Sequence, residues 1–281
     1  MGFKEKVEGI IKLIYILFLV IIVFNNYLFF IFIAIHELSH LVCGILLGYK
    51  IKKISLLPYG FSLCFKEVFI KPRDNIIISF CGPLINLIFF AIFYLGYFIF
   101  PINEIKILYE INLTLLIFNL IPIGFLDGGR IAKEIISMYF SFNASIIIIN
   151  LNGIIFGCIM VMLAFYTVSI ASKIVFILIA FGIIIDGIIN FRLRKMHVIN
   201  KILYKRFRRN YKNIYTKKRY FKENTKIFDI IKNFSFNIGY NIICENCSVV
   251  FEDKEIINTY LTKGNITLKQ CVKEKQEEDK W

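Results

Sequence analysis

His36 and His40 stand four residues apart with Glu37 next to the first, in the run Phe32-Ile33-Ala34-Ile35-His36-Glu37-Leu38-Ser39-His40-Leu41-Val42. At 3.6 residues per helical turn the two imidazoles fall on one face, where they can share one divalent metal. A glutamate beside them can take a proton from a water on that metal. This is the H-E-x-x-H pattern of zinc hydrolases. Its flanks are apolar on both sides, and an uncompensated charge at mid-bilayer costs about 3 kcal/mol or more. Three polar groups in such a run imply a metal site, and hydrolytic chemistry done within a membrane.

A catalytic zinc takes three protein ligands and keeps one position open. The only other histidine, His197, lies in a basic tail. The third ligand is therefore expected to be a carboxylate, with Glu110, Asp127 and Asp186 as candidates in membrane-associated segments. Asp127 is favoured. It closes the segment Asn119-Leu120-Ile121-Pro122-Ile123-Gly124-Phe125-Leu126-Asp127-Gly128-Gly129. Pro122 and Gly124 should break a helix there, and Gly128-Gly129 allow a sharp turn. Irregular backbone at membrane depth is tolerated where it lines a cavity or is buried in protein. Asp186 is the rival, expected instead to pair with a basic group near the inner interface. Glu110 is expected near the outer one.

The elements that must hold these residues are membrane spans. Hydrophobic residues make up 58% of the 281-residue chain, and its mean hydropathy is +0.68. Such a composition excludes an ordinary soluble domain. Six spans are read, near 8–25, 27–48, 75–100, 107–125, 144–166 and 169–191. The first lacks a cleavage site of small residues and is read as retained rather than as a signal peptide. Lys50, Lys52, Lys53, Lys66, Lys71, Arg73, Arg130 and Lys133 fall in loops on one side. By the positive-inside rule both termini are cytoplasmic.

The net charge of +14 has a local origin. Arg192 to Lys222 holds 13 Lys or Arg and no acid. A basic stretch just after a span is drawn to anionic lipid by about 1 kcal/mol per residue, which disfavours nucleic acid as its partner. Cys244-Glu245-Asn246-Cys247 is a lone C-x-x-C, read as a structural turn. Residues 240–244 and 248–251 read as two short strands around a turn, and 253–261 as a helix begun by an acidic turn. The expected organisation is a six-span domain over 1–191, a basic juxtamembrane linker over 192–222, and a small cytoplasmic α+β domain over 223–281.

Three motifs together resemble the site-2 protease family of intramembrane zinc metalloproteases. They are His36-Glu37-Leu38-Ser39-His40, then Gly82-Pro83-Leu84-Ile85-Asn86, then Asn119 to Gly129 with the form N-x-x-P-x-x-x-L-D-G-G. They occur in that family's order, and Ile54 to Phe61 resembles the short strand region after its zinc helix. The subgroup most resembled is that of stage IV sporulation protein FB.

The resemblance implies one Zn²⁺ per chain, held by His36, His40 and Asp127. Glu37 is implied as the general base, and Asn119 as a catalytic group that positions substrate or stabilises the oxyanion. Pro122 shapes the broken helix, while Gly82, Asn86 and Gly128 support substrate approach and structure. It further implies a membrane-associated sigma-factor precursor as substrate. A signal-peptide remnant, an anti-sigma factor, or metal binding without proteolysis (a transporter, for example) are the alternatives. The C-terminal domain is similar to one CBS repeat, which implies self-association and ATP as a ligand. Inhibitory membrane partners are also expected.

Overall fold

The computed structural model describes residues 27–57, 60–65, 70–124, 126–166, 170–207, 215–245 and 249–278. The span expected at 8–25 lies outside them. Two compact units are present: one comprises 1–134 with 149–190, the other 135–148 with 191–281.

The first unit is mostly helical. Helix α1 (Tyr27–Leu46) carries His36 and His40 and is followed by a turn at Gly48, whose φ of +86° suits a residue without Cβ. Strands β1 (Ile51–Leu57) and β2 (Gly60–Phe65) follow as an antiparallel pair, with Ile54 opposite Leu63. Helix α2 (Pro72–Ile99) starts on a proline, whose fixed φ suits a first helical turn. Helix α3 (Asn103–Leu120) returns alongside it. Phe32 of α1 and Ile111 and Leu115 of α3 form a buried cluster, against which Phe89 and Phe93 of α2 pack. The Phe32 ring meets those two edge-on, at centroid distances of 5.5 and 5.9 Å.

The helix break expected at Pro122 and Gly124 is present. Helix α3 stops at Leu120, and helix α4 (Asp127–Tyr139) begins at Asp127. The span read at 107–125 therefore ends five residues early. Its charges Glu104, Lys106 and Glu110 also keep α3 from passing as a membrane span on composition.

Helices α5 (Phe142–Tyr166) and α6 (Ile170–Arg192) cover the last two expected spans. They approach closely where side chains are small: a Cβ added at Gly157 would come within 2.8 Å of Ile184. Among the described residues, α1, α2 and α5 are long and apolar enough to cross a membrane. A fourth candidate is the pair Phe176–Arg192 and Arg194–Lys205, bent by 61°.

The second unit is a small α+β module. Helix α7 (Arg194–Phe207) leads to strand β3 (Tyr215–Phe221), the short helix α8 (Ile227–Ile231), strands β4 (Ile238–Cys244) and β5 (Val250–Glu252), and helices α9 (Asp253–Lys263) and α10 (Leu268–Glu278). The sheet order is β3-β4-β5, with β3 parallel and β5 antiparallel to β4. Ile227, Ile230 and Ile231 of α8 are fully buried with Ile238 and Ile242 of β4. Helix α9 opens on a capping box between Glu252 and Glu255, as its acidic start suggested.

The basic stretch 192–222 departs from the linker expected of it, because its described part forms α7 and β3. Strand β3 lies at a sheet edge, where Lys217, Lys218 and Arg219 remain in solvent. Edge strands tolerate such charges, and this run therefore hid its strand character. The end of α4 and the start of α5, residues 135–148, also belong to this unit. The carbonyls of Ser137 and Met138 accept hydrogen bonds from the backbone N–H groups of Phe236 and Asn237.

Candidate metal and active site

One face of α1 presents both histidine rings inward, each only 3% exposed. The helical spacing stacks them a turn apart, with ring centroids 4.8 Å apart and planes nearly perpendicular. Helix α2 can lie against that face because residue 82 is glycine. A Cβ there would run into the His40 ring and come within 2.6 Å of His36 Cε1.

Asp127 completes the cluster from the first turn of α4. His36 Nε2 lies 3.0 Å and His40 Nε2 3.1 Å from Asp127 Oδ2, and the two nitrogens are 3.3 Å apart. Ligands on bonds of about 2.0 Å at tetrahedral angles lie about 3.3 Å from one another. Among the described residues these three are the one His/Cys/Asp/Glu group close enough to share a metal ion.

The hydrogen bonds give a second test of fit. His40 Nδ1 is 2.7 Å from the carbonyl oxygen of Ile78, which can only accept, so the ring carries its hydrogen on Nδ1. A neutral His40 then turns a bare Nε2 toward a carboxylate oxygen. Lone pairs facing each other at 3.1 Å repel unless a cation sits between them. The residues fit a divalent metal.

The broken helix is what brings Asp127 here. Ile123, Leu126 and Ile183 form a buried cluster under the break. Gly128 and Gly129, expected to turn the chain, instead lie in the first turn of α4. A Cβ on either would strike the carbonyls of Leu120 and Ile123 respectively. They permit close approach of two backbone segments rather than a left-handed turn.

Glu37 is half-buried and within electrostatic reach of His40, His36, Asp127 and Arg130. Arg130, one turn along α4, places Nη1 3.9 Å from Asp127 Oδ1. Sequence reasoning used Arg130 for topology and missed this position; its i,i+3 spacing from Asp127 was the available signal.

The other expected site residues make contacts of their own. Asn119 turns its amide back onto its own helix, donating to the Leu115 carbonyl at 3.0 Å. Asn86, expected to help substrate approach, is fully buried with Nδ2 2.9 Å from His36 Nδ1. Asp186 stands outside the metal cluster. Its Oδ2 accepts from Asn190 at 2.8 Å, and the basic groups within its electrostatic reach are Lys133 and Arg130. Cys244 is buried with a free thiol, while Cys247 lies outside the described residues.

Residues 99–146, which contain Asn119, Pro122, Asp127 and Gly128, match peptidase family M50. A zinc metalloprotease of Methanocaldococcus jannaschii is 30% identical over 198 residues, covering 63% of this chain and 58% of that protein. The chain is thus similar to M50 peptidases, the family of the site-2 proteases. Stage IV sporulation protein FB of Bacillus subtilis is 27% identical over 108 residues, covering 35% of each chain. The chain thus spans less than two thirds of the length of either curated relative. A solved site-2 protease from Methanocaldococcus jannaschii aligns with 62% of this chain and 86% of its own, at 28% identity and a TM-score of 0.48.

Proposed function

We propose that this chain is an intramembrane zinc metalloprotease. The observation that carries the reading is the convergence of His36 Nε2, His40 Nε2 and Asp127 Oδ2 within 3.0 to 3.3 Å, with Glu37 alongside. A zinc ion held by these three residues supplies a Lewis acid and lowers the pKa of water toward about 7. Glu37 accepts the proton of the attacking water and passes it to the leaving amine. Arg130 lends positive charge beside Asp127. Burial of the cluster excludes bulk water and strengthens each of these interactions.

The full proposal has six spans, one zinc per chain and both termini in the cytoplasm. The substrate is a membrane-associated sigma-factor precursor, supported by the likeness to a sporulation protein. The C-terminal module follows the order strand, helix, strand, strand, helix, which supports a CBS-like unit that self-associates. ATP at that module has no support from the matches and is left out of the proposal.

The test is co-expression with candidate precursors, comparing the unmodified chain with Glu37→Gln. Cleavage should fall by about 10²–10⁴-fold in the variant, the scale of losing an acid–base group, while zinc content is unchanged. Equal cleavage by both would contradict the assignment of Glu37.

A further inference from the structure

We infer that Asn86 is a positioning residue for His36, fixing which ring nitrogen is free to bind metal. The inference rests on the zinc reading above and adds a role for a side chain outside the three ligands. Asn86 has no exposed surface, and its Nδ2 lies 2.9 Å from His36 Nδ1. Its Oδ1 is buried with no hydrogen-bond partner among the described residues.

The two rings of the cluster pose the same problem. His40 solves it with the Ile78 carbonyl, which holds the hydrogen on Nδ1 and leaves Nε2 bare. His36 also turns Nε2 toward Asp127, so it too must carry its hydrogen on Nδ1 when a metal is present. An amide nitrogen facing Nδ1 would demand the opposite arrangement, with the hydrogen on Nε2 and no lone pair for the ion. A half-turn of the Asn86 amide exchanges its oxygen and nitrogen within the same volume. Either orientation leaves one amide atom without a partner. The one with Oδ1 accepting from His36 Nδ1–H makes His36 a ligand.

Gly82 and Asn86 stand one helical turn apart on α2, the glycine against both rings and the asparagine against His36. The glycine leaves room for His36, and the asparagine fixes its orientation. The pattern G-x-x-x-N thereby has a purpose at the metal beyond helix packing.

The test uses the full chain in detergent, with zinc affinity measured by competition against a chromophoric chelator. Asn86→Leu should bind zinc ~10–100-fold more weakly, the usual effect of removing such a partner. Asn86→Asp keeps an acceptor and should stay close to the unmodified protein. Affinity unchanged in Asn86→Leu, or as weak in Asn86→Asp as in Asn86→Leu, overturns the inference while leaving the zinc site intact. No zinc bound by the unmodified chain overturns both. If Asn86→Leu does not fold, ¹⁵N spectra of the histidine-labelled, metal-free unmodified chain decide. Hydrogen on Nδ1 of His36 supports the assignment, and hydrogen on Nε2 refutes it.

Discussion

Gly82 is the residue whose substitution tests the geometry most sharply. A single methyl there has nowhere to go except into the two histidine rings. Overpacking at a rigid site costs about 1–3 kcal/mol, or roughly 10–100-fold in affinity if it falls on the metal site. Gly82→Ala should therefore lose zinc affinity on that scale, read by chelator competition. Unaltered affinity would mean that α2 does not close on the rings.

His36, His40 and Asp127 were legible in the sequence because residue type and helical spacing carry the information. The partners of the two rings were not. Ile78 acts through a backbone carbonyl, which any residue offers. Asn86 reaches His36 across 50 residues of chain, and its motif alone suggests little beyond close packing.

At the scale of elements, the broken helix between α3 and α4 decides where Asp127 stands. Pro122 and Gly124 announced the break, and Leu120 and Asp127 bound it. The use made of Gly128 and Gly129 was hidden, because a sequence shows that glycine permits a turn but not that two carbonyls lie against it. Gly129→Ala should destabilise the protein by at least about 1–3 kcal/mol, since backbone rather than a flexible side chain must yield. Gly182→Ala in α6 meets nothing within 4 Å. It should be neutral or stabilise by up to about 1 kcal/mol. Thermal unfolding in detergent compares the two. Equal effects would argue against the close approach at the break.

The whole molecule joins an apolar, mostly helical unit to a module with a different kind of core. Within that module Lys205 is 8% exposed, and its Nζ lies 2.7 Å from Asp253 Oδ2 and 2.8 Å from the Ile238 carbonyl oxygen. The Phe234 and Tyr240 rings flank the ammonium at 5.2 and 5.1 Å. Burial pulls the Lys205 pKa below its ordinary value, and Asp253 partly restores it. Asp253→Ala would strand that ammonium, at a cost of about 3–5 kcal/mol. The double change Lys205→Met with Asp253→Ala should cost clearly less. A double mutant as unstable as the single one would mean that the pair is not what the module depends on. None of this was legible in the sequence, where Lys205 is one of thirteen basic residues in a segment read as a linker. Strands β4 and β5 and helix α9 were legible because alternation and an acidic helix start survive in local sequence.

The central claim is one zinc ion per chain on two imidazoles and one carboxylate. It is tested most directly by metal analysis and X-ray absorption at the zinc edge of purified Glu37→Gln protein, which should not degrade itself. The account predicts one zinc per chain with nitrogen and oxygen neighbours at about 2.0 Å, and loss of that zinc in Asp127→Ala. Sulfur neighbours at about 2.3 Å, or full zinc occupancy in Asp127→Ala, would contradict it.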